Sequence, residues 1–274
     1  MKKVIAVTNQ KGGVGKTTTA VNLSASLALG GENVLLLDID PQGNASSGLG
    51  LQKPDDNANM YKALMDGVVE SSMIIDTAVD RLKAIPSSTD LYGAEIELVS
   101  FENRENRLLG LIEQIKADFD YIIIDCPPSL GILTLNALSA ADSVIIPLQT
   151  EYFALEGLSQ LDRTISMVRD AFNPDLTIEG ILFTMVDSRT VLSQQVMKEV
   201  KDYYGKRVFT TIIPRNVRLS EAPSHGVPII VYDDRSKGAD AYMDLAIELT
   251  SNHASSIDVN GKEASHFQQK AGNI

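Results

Sequence analysis

Residues 11–18 read KGGVGKTT, and no other stretch of the chain narrows its fold as far. The general phosphate-loop pattern GxxxxGK[ST] asks for a glycine five residues before Gly15, where Gln10 stands instead. Gly12, Gly13 and Gly15 lead into Lys16, Thr17 and Thr18, and an additional lysine, Lys11, opens the run. It is a deviant phosphate loop. Glycines let backbone N–H groups approach phosphate, and the helix that follows adds partial positive charge at its N-terminus. Lys16 can reach β/γ oxygens, and Thr17 offers its hydroxyl to Mg²⁺. The expected nucleotide contacts of the loop are therefore Gly12, Gly13, Val14, Gly15, Lys16, Thr17 and Thr18.

The flanks supply the required context. A short β-prone run at 4–8 precedes the loop, and 17–29 carries Ala20, Leu23, Leu27 and Ala28 near a helical period. Further strand-like runs fall at 34–38, 121–125, 143–147, 178–186 and 208–213. They alternate with helical patterns at 102–116, 154–172, 191–204 and 238–250. Continuous apolar strands separated by helices predict a single α/β domain: a mostly parallel twisted sheet with helices on both faces, the architecture of P-loop NTPases. Ligands in such sheets bind at the carboxyl ends of the strands. The domain is expected over 1–250, with a polar, mobile tail over 251–274 that lacks a periodic apolar face.

At 274 residues the chain can bury a full α/β core, and no Pro/Ser/Gly-rich linker divides it. One cysteine, Cys126, excludes an intramolecular disulfide and any CxxC cluster motif. The N-terminal apolar run is too short for a signal peptide and none approaches a membrane span, so a cytoplasmic location is expected. The net charge of −12 argues against nucleic acid, but its distribution qualifies that. Arg189, Lys198, Lys201, Lys206, Arg207, Arg215 and Arg218 are opposed over 189–219 only by Glu199 and Asp202. A locally basic surface fits phosphate contacts as well as it fits solvated helix faces.

Three acidic residues sit at strand ends. Asp125 closes YIIID, where it can hold Mg²⁺ through water. In LLLDIDPQGN, Asp38 ends a strand and Asp40 begins a turn-prone loop. A loop carboxylate beside the γ-phosphate can position or deprotonate the attacking water, so Asp40 takes that role. Asp38 serves as a supporting metal or hydrogen-bond anchor.

KGGVGKTT, DIDPQGN, DCPPSLG and IPRNVRLSEAPSHGVPI together resemble the ParA/Soj family of chromosome and plasmid partition ATPases, within the deviant Walker A group that includes MinD. The resemblance covers nearly all of 1–250, in the short form without an added N-terminal DNA-binding domain. It implies a slow ATPase with ATP and Mg²⁺ as cofactors and Lys11, Lys16 and Asp40 as catalytic residues. Lys11 would act across a nucleotide-sandwich homodimer on the partner's phosphates, and Gly12 would lie where the two loops approach. The resemblance further puts Pro214 and Asn216 near the adenine, and makes Asp40 and the 125–131 loop nucleotide-sensitive. Arg189 and Arg218 match positions used for non-specific double-stranded DNA binding, with Lys198, Lys201 and Lys206 as further candidates. A ParB-like partner would stimulate hydrolysis, and the ATP-bound form would associate with the nucleoid. The alternative, a MinD-like membrane-associated division-positioning ATPase, requires a basic amphipathic C-terminal helix that the tail does not offer. An iron–sulfur relative needs at least two ligating cysteines.

Overall fold

The computed structural model describes residues 2–51 and 58–258. Eight strands form one sheet: β1 (Lys3–Val7), β2 (Val34–Asp38), β3 (Ile75–Asp76), β4 (Leu82–Ile85), β5 (Tyr121–Asp125), β6 (Ser143–Gln149), β7 (Thr177–Val186) and β8 (Val208–Pro214). Their order is β3-β4-β2-β5-β1-β6-β7-β8, parallel throughout except for the antiparallel β3–β4 pair. The helices are α1 (Lys16–Leu29), α2 (Asn44–Gly48), α3 (Met60–Asp66), α4 (Leu91–Glu97), α5 (Arg107–Ile115), α6 (Ile132–Ala140), α7 (Ala154–Ala171), α8 (Val191–Tyr204), α9 (Val217–Glu221), α10 (Ile229–Tyr232) and α11 (Lys237–Asp258).

The central strands are apolar along their whole length because both faces are covered. On β1, β2, β5 and β6, residues such as Ala6, Leu35, Ile122 and Val144 join one core with α3 to α8. Their neighbours Ile5, Leu36, Ile123 and Ile145 join another with α1, α10 and α11. A period of two distributes consecutive side chains between two cores, and neither can be polar. The expected single-domain α/β sheet is what the chain forms.

Two boundaries differ from the sequence reading by more than two residues. The helix expected over 102–116 is confined to α5, because Asn103 adopts a left-handed conformation (φ 55°) and a 3-10 turn, Arg104–Asn106, intervenes. At the other end α11 continues through Asp258, so the boundary expected at 250/251 falls inside a helix. His253 is buried there beneath the sheet. Its Nδ1 lies 3.1 Å from the Tyr121 hydroxyl, and its Nε2 lies 2.8 Å from both Lys3 Nζ and Glu179 Oε1. The remainder of the expected tail lies outside the described residues.

Candidate nucleotide-binding site

β1 delivers the chain to the middle of the sheet's carboxyl edge, and the loop between β1 and α1 turns there on two glycines in the left-handed region. Gly13 has φ 74° and Gly15 φ 88°, conformations an L side chain rarely adopts. Asn9 shapes the turn from beneath: its Nδ2 donates to the Pro147 carbonyl at 2.8 Å, and its Oδ1 accepts from the Lys11 N–H at 3.0 Å. Thr184 on β7 donates its hydroxyl to the Val14 carbonyl at 2.7 Å. The loop is thereby tied to β6 and β7.

A cavity of about 380 Å³ opens over it, floored by Gly12, Gly13, Gly15, Lys16, Thr17 and Thr18. Its far wall is Asp40, Gln42 and Asn44, and Pro128 and Met185 flank it. Lys16 is buried and donates from Nζ to the Lys11 carbonyl at 3.1 Å. Burial pulls its pKa down, against the opposing influence of Asp125 and Asp40.

The three carboxylates separate into different tasks. Asp38 and Asp125 face each other in register across β2 and β5. Asp38 Oδ2 accepts from the Ser46 N–H (2.7 Å) and hydroxyl (2.6 Å), and Oδ1 accepts from the Asp40 N–H at 3.2 Å. Burial still pushes it up to about 6. Its oxygens hold α2 and the Asp40 loop, as a hydrogen-bond anchor would. Asp125 is fully buried, and neither of its oxygens has a hydrogen-bond partner. Burial and then the neighbouring Asp38 push it well above the usual carboxylate range. A buried, unpaired carboxylate beside a threonine hydroxyl is the donor set a Mg²⁺–nucleotide would complete. No group of three or more His, Cys, Asp or Glu side chains forms a metal cage among the described residues. That suits an ion held by one carboxylate through water, a hydroxyl and phosphates. Asp40 lines the cavity, its Oδ1 accepting from the Gln42 N–H at 3.0 Å and its carbonyl from the Gly43 N–H at 2.9 Å.

Lys11 behaves differently from its loop. Its side chain is half exposed, is absent from the cavity wall, and pairs with Glu151 beyond the end of β6. Pro214 and Asn216 are not part of the wall either. Pro214 stands level with Val186 at the end of β8, and Asn216 caps α9 by accepting from the Arg218 N–H at 2.8 Å. Met185, Gln42 and Asn44 also line the cavity and were not named beforehand, while Pro128 comes from the 125–131 loop expected to respond to nucleotide. Gln42 and Asn44 belong to the DIDPQGN motif, whereas Met185 is brought in only by β7 packing beside the loop. It sits at φ 50°, and its sulfur accepts from Gln149 Nε2 at 3.1 Å.

The basic segment is dispersed. Arg189 follows β7 and is held by Asp187 at 2.8 and 2.7 Å; Arg218 pairs with Glu221 at 2.9 Å and with Asp233 at 3.3 Å. Both arginines lie at the carboxyl edge. Lys198 and Lys201 ride α8 away from it, and Lys206 stands just before β8 at the opposite edge, about 20 Å off at 1.5 Å per helical residue.

Strand, deviant glycine loop, helix and strand-end carboxylates on this sheet define a P-loop NTPase. A family model described as an AAA domain matches residues 2–178. The sporulation initiation inhibitor protein Soj of Bacillus subtilis is 59% identical over 252 residues, covering 92% of this chain and 100% of that protein. The chromosome partitioning protein ParA of Myxococcus xanthus is 56% identical over 247 residues, covering 90% of this chain and 87% of that protein. A crystal structure described as cobyrinic acid a,c-diamide synthase from Mycobacterium smegmatis with bound ADP and magnesium superposes with a TM-score of 0.81. It is 41% identical and covers 93% of this chain and 97% of that one. The chain belongs to the ParA/Soj family of partition ATPases. No helix among the described residues is long and apolar enough to cross a membrane.

Proposed function

We propose that the chain is an ATP-driven DNA-segregation switch that works as a nucleotide-sandwich homodimer. The observation that carries this reading is Lys11: a cation at the lip of a phosphate site, turned out of its own cavity toward Glu151. A lysine so placed is available to phosphates on a facing subunit. The same edge carries exposed Leu130, Tyr152, Phe153, Val191 and Val217, apolar side chains that a facing copy would cover.

ATP would bind on the glycine loop with Lys16 at its phosphates; Thr17 and, through water, Asp125 would hold Mg²⁺, which would supply positive charge to the phosphates. Asp40 orients the attacking water. Pro214 and Asn216 border the base from the end of β8. In the dimer, Arg189 and Arg218 of both subunits present one phosphate-contacting surface at the carboxyl edge, so modest contacts add into useful DNA affinity. Each arginine exchanges a carboxylate partner for a DNA phosphate, which makes binding steeply salt-dependent. Lys198 and Lys201 on α8, and Lys206 in the turn beyond it, serve longer-range attraction. A ParB-like partner accelerates hydrolysis, and loss of the γ-phosphate releases the dimer from the nucleoid.

DNA binding measured with ATP, with ADP and without nucleotide tests this in wild type, Asp40→Ala and Arg189→Ala/Arg218→Ala. Tight binding is expected with ATP alone, prolonged in Asp40→Ala and lost in the arginine variant at moderate salt. Equal binding in ADP refutes the switch. Phosphate release should fall in Asp40→Ala by on the order of 10²–10⁴.

A further inference from the structure

α4 and the 3-10 turn that continues it, Leu98–Ser100, are apolar on two sides. Leu91, Ala94 and Leu98 point into the core and are fully buried. Tyr92, Ile96 and Val99, spaced i, i+4 and i+7, point outward and are 59%, 77% and 60% exposed. Such spacing makes one continuous stripe on a helix. A single exposed leucine or valine needs no explanation, but three large apolar side chains aligned on one face mark a surface built for contact.

The surroundings select the occupant. Residues 90–105 contain Asp90, Glu95, Glu97, Glu102 and Glu105 against one cation, Arg104, a net of 1 − 5 = −4. Arg104 is itself paired with Glu105 at 2.9 Å. Docking a second copy would bring two acidic rims together, and an anionic membrane would be repelled in the same way. We infer that the Tyr92–Ile96–Val99 stripe is a docking surface for a cationic amphipathic segment of a partner protein, with apolar anchors on the stripe and Lys or Arg on the carboxylates around it.

The surface adjoins the nucleotide site. A Cβ built on Gly131 would fall 2.1 Å from Glu95 Oε1, so α4 rests directly against the loop that follows Asp125. Pro128 of that loop lines the nucleotide cavity. A segment lying on α4 would thus be linked through Glu95 to the loop that lines the nucleotide cavity. The inference deepens the partner component of the proposed function and rests on it only for the source of the segment; it stands apart from the DNA reading.

The probe is a fluorescent Leu/Lys amphipathic helical peptide, compared with a Ser/Lys peptide of equal charge, titrated by anisotropy into the full chain with and without a non-hydrolysable ATP analogue. The Leu/Lys peptide is expected to bind more tightly than the Ser/Lys peptide. Ile96→Asp and Glu97→Lys/Glu102→Lys should each weaken it by about tenfold or more. Melting temperature and nucleotide affinity of the variants establish that they fold. Unchanged peptide affinity in folded Ile96→Asp overturns the inference, as does equal binding of the two peptides. So does concentration-dependent self-association, seen by sedimentation, that Ile96→Asp abolishes, since that assigns the stripe to a second copy. Failure of Arg189→Ala/Arg218→Ala to alter DNA binding refutes the DNA reading and leaves the peptide result intact.

Discussion

A side chain added at Gly12 meets nothing within 4 Å in its own chain, and Gly12 is not in a left-handed conformation. Gly12→Val is therefore expected to fold and bind ATP as wild type does, while its added bulk obstructs a facing subunit. Light scattering should find a monomer with ATP, and an ATP-induced dimer of that variant would sink the sandwich model. Ser46 makes a second residue-scale test. It gives Asp38 two of its three hydrogen bonds and accepts one from the Ser87 N–H at 3.0 Å. Ser46→Ala strips one donor from a buried carboxylate and one acceptor from a buried amide, and should cost about 1–3 kcal/mol in urea unfolding. A variant as stable as wild type would show that this network adds nothing. Lys16, Thr17 and Asp40 were legible in the sequence because glycine spacing and loop chemistry are local. Met185 was not, since a thioether carries no local signal and reaches the cavity only through the pairing of β6 with β7.

Strands were the most readable elements, because burial on both faces leaves continuous runs such as YIIID and VLLLD. β4 escaped notice: it is four residues long and carries Lys83 in its middle. α6 was missed for the opposite reason, as Leu133, Asn136, Ala137 and Ser139 are all buried and it presents no amphipathic period. The β7–β8 pair depends on one small residue. A Cβ built on Gly180 would sit 2.3 Å from the ring of buried Phe209, in a stretch where the register is already irregular. Gly180→Val must displace that ring and is expected to lower stability by about 1–3 kcal/mol. Restoration by the compensating Phe209→Leu exchange would assign the loss to this contact, and an additive loss would contradict it.

At the scale of the molecule, the base of the sheet is closed by Glu179 with Lys3, His253 and Ser143. Lys3 and Glu179 are 2.5 Å apart, and the Ser143 hydroxyl donates to Glu179 at 2.6 Å. Burial alone would raise the Glu179 pKa, but the bonds from His253, Lys3 and Ser143 outweigh it and hold the carboxyl at about 2, below its ordinary 4.5. A depressed carboxylate contributes stability that is complete above pH 4.5 and vanishes as pH falls towards 2. At 1.36 kcal/mol per unit this amounts to about 3 kcal/mol. Glu179→Gln should accordingly be less stable than wild type at pH 7 and approach it near pH 2; a constant gap across that range would contradict the assignment. His253 was unreadable as a structural residue, because it lies in a polar stretch and acquires partners only from strands far away in sequence. Its position also bears on how the protein is made. β1 is synthesised before β5 and β6, which it needs on its flanks, and the contact that seals its lower end comes from α11, which is made later still. The central strand waits unpaired until β5 and β6 follow it, and its lower end stays unsealed until α11, so nascent chains halted before α11 should be more protease-sensitive than the full chain, with protection completed once His253 has emerged.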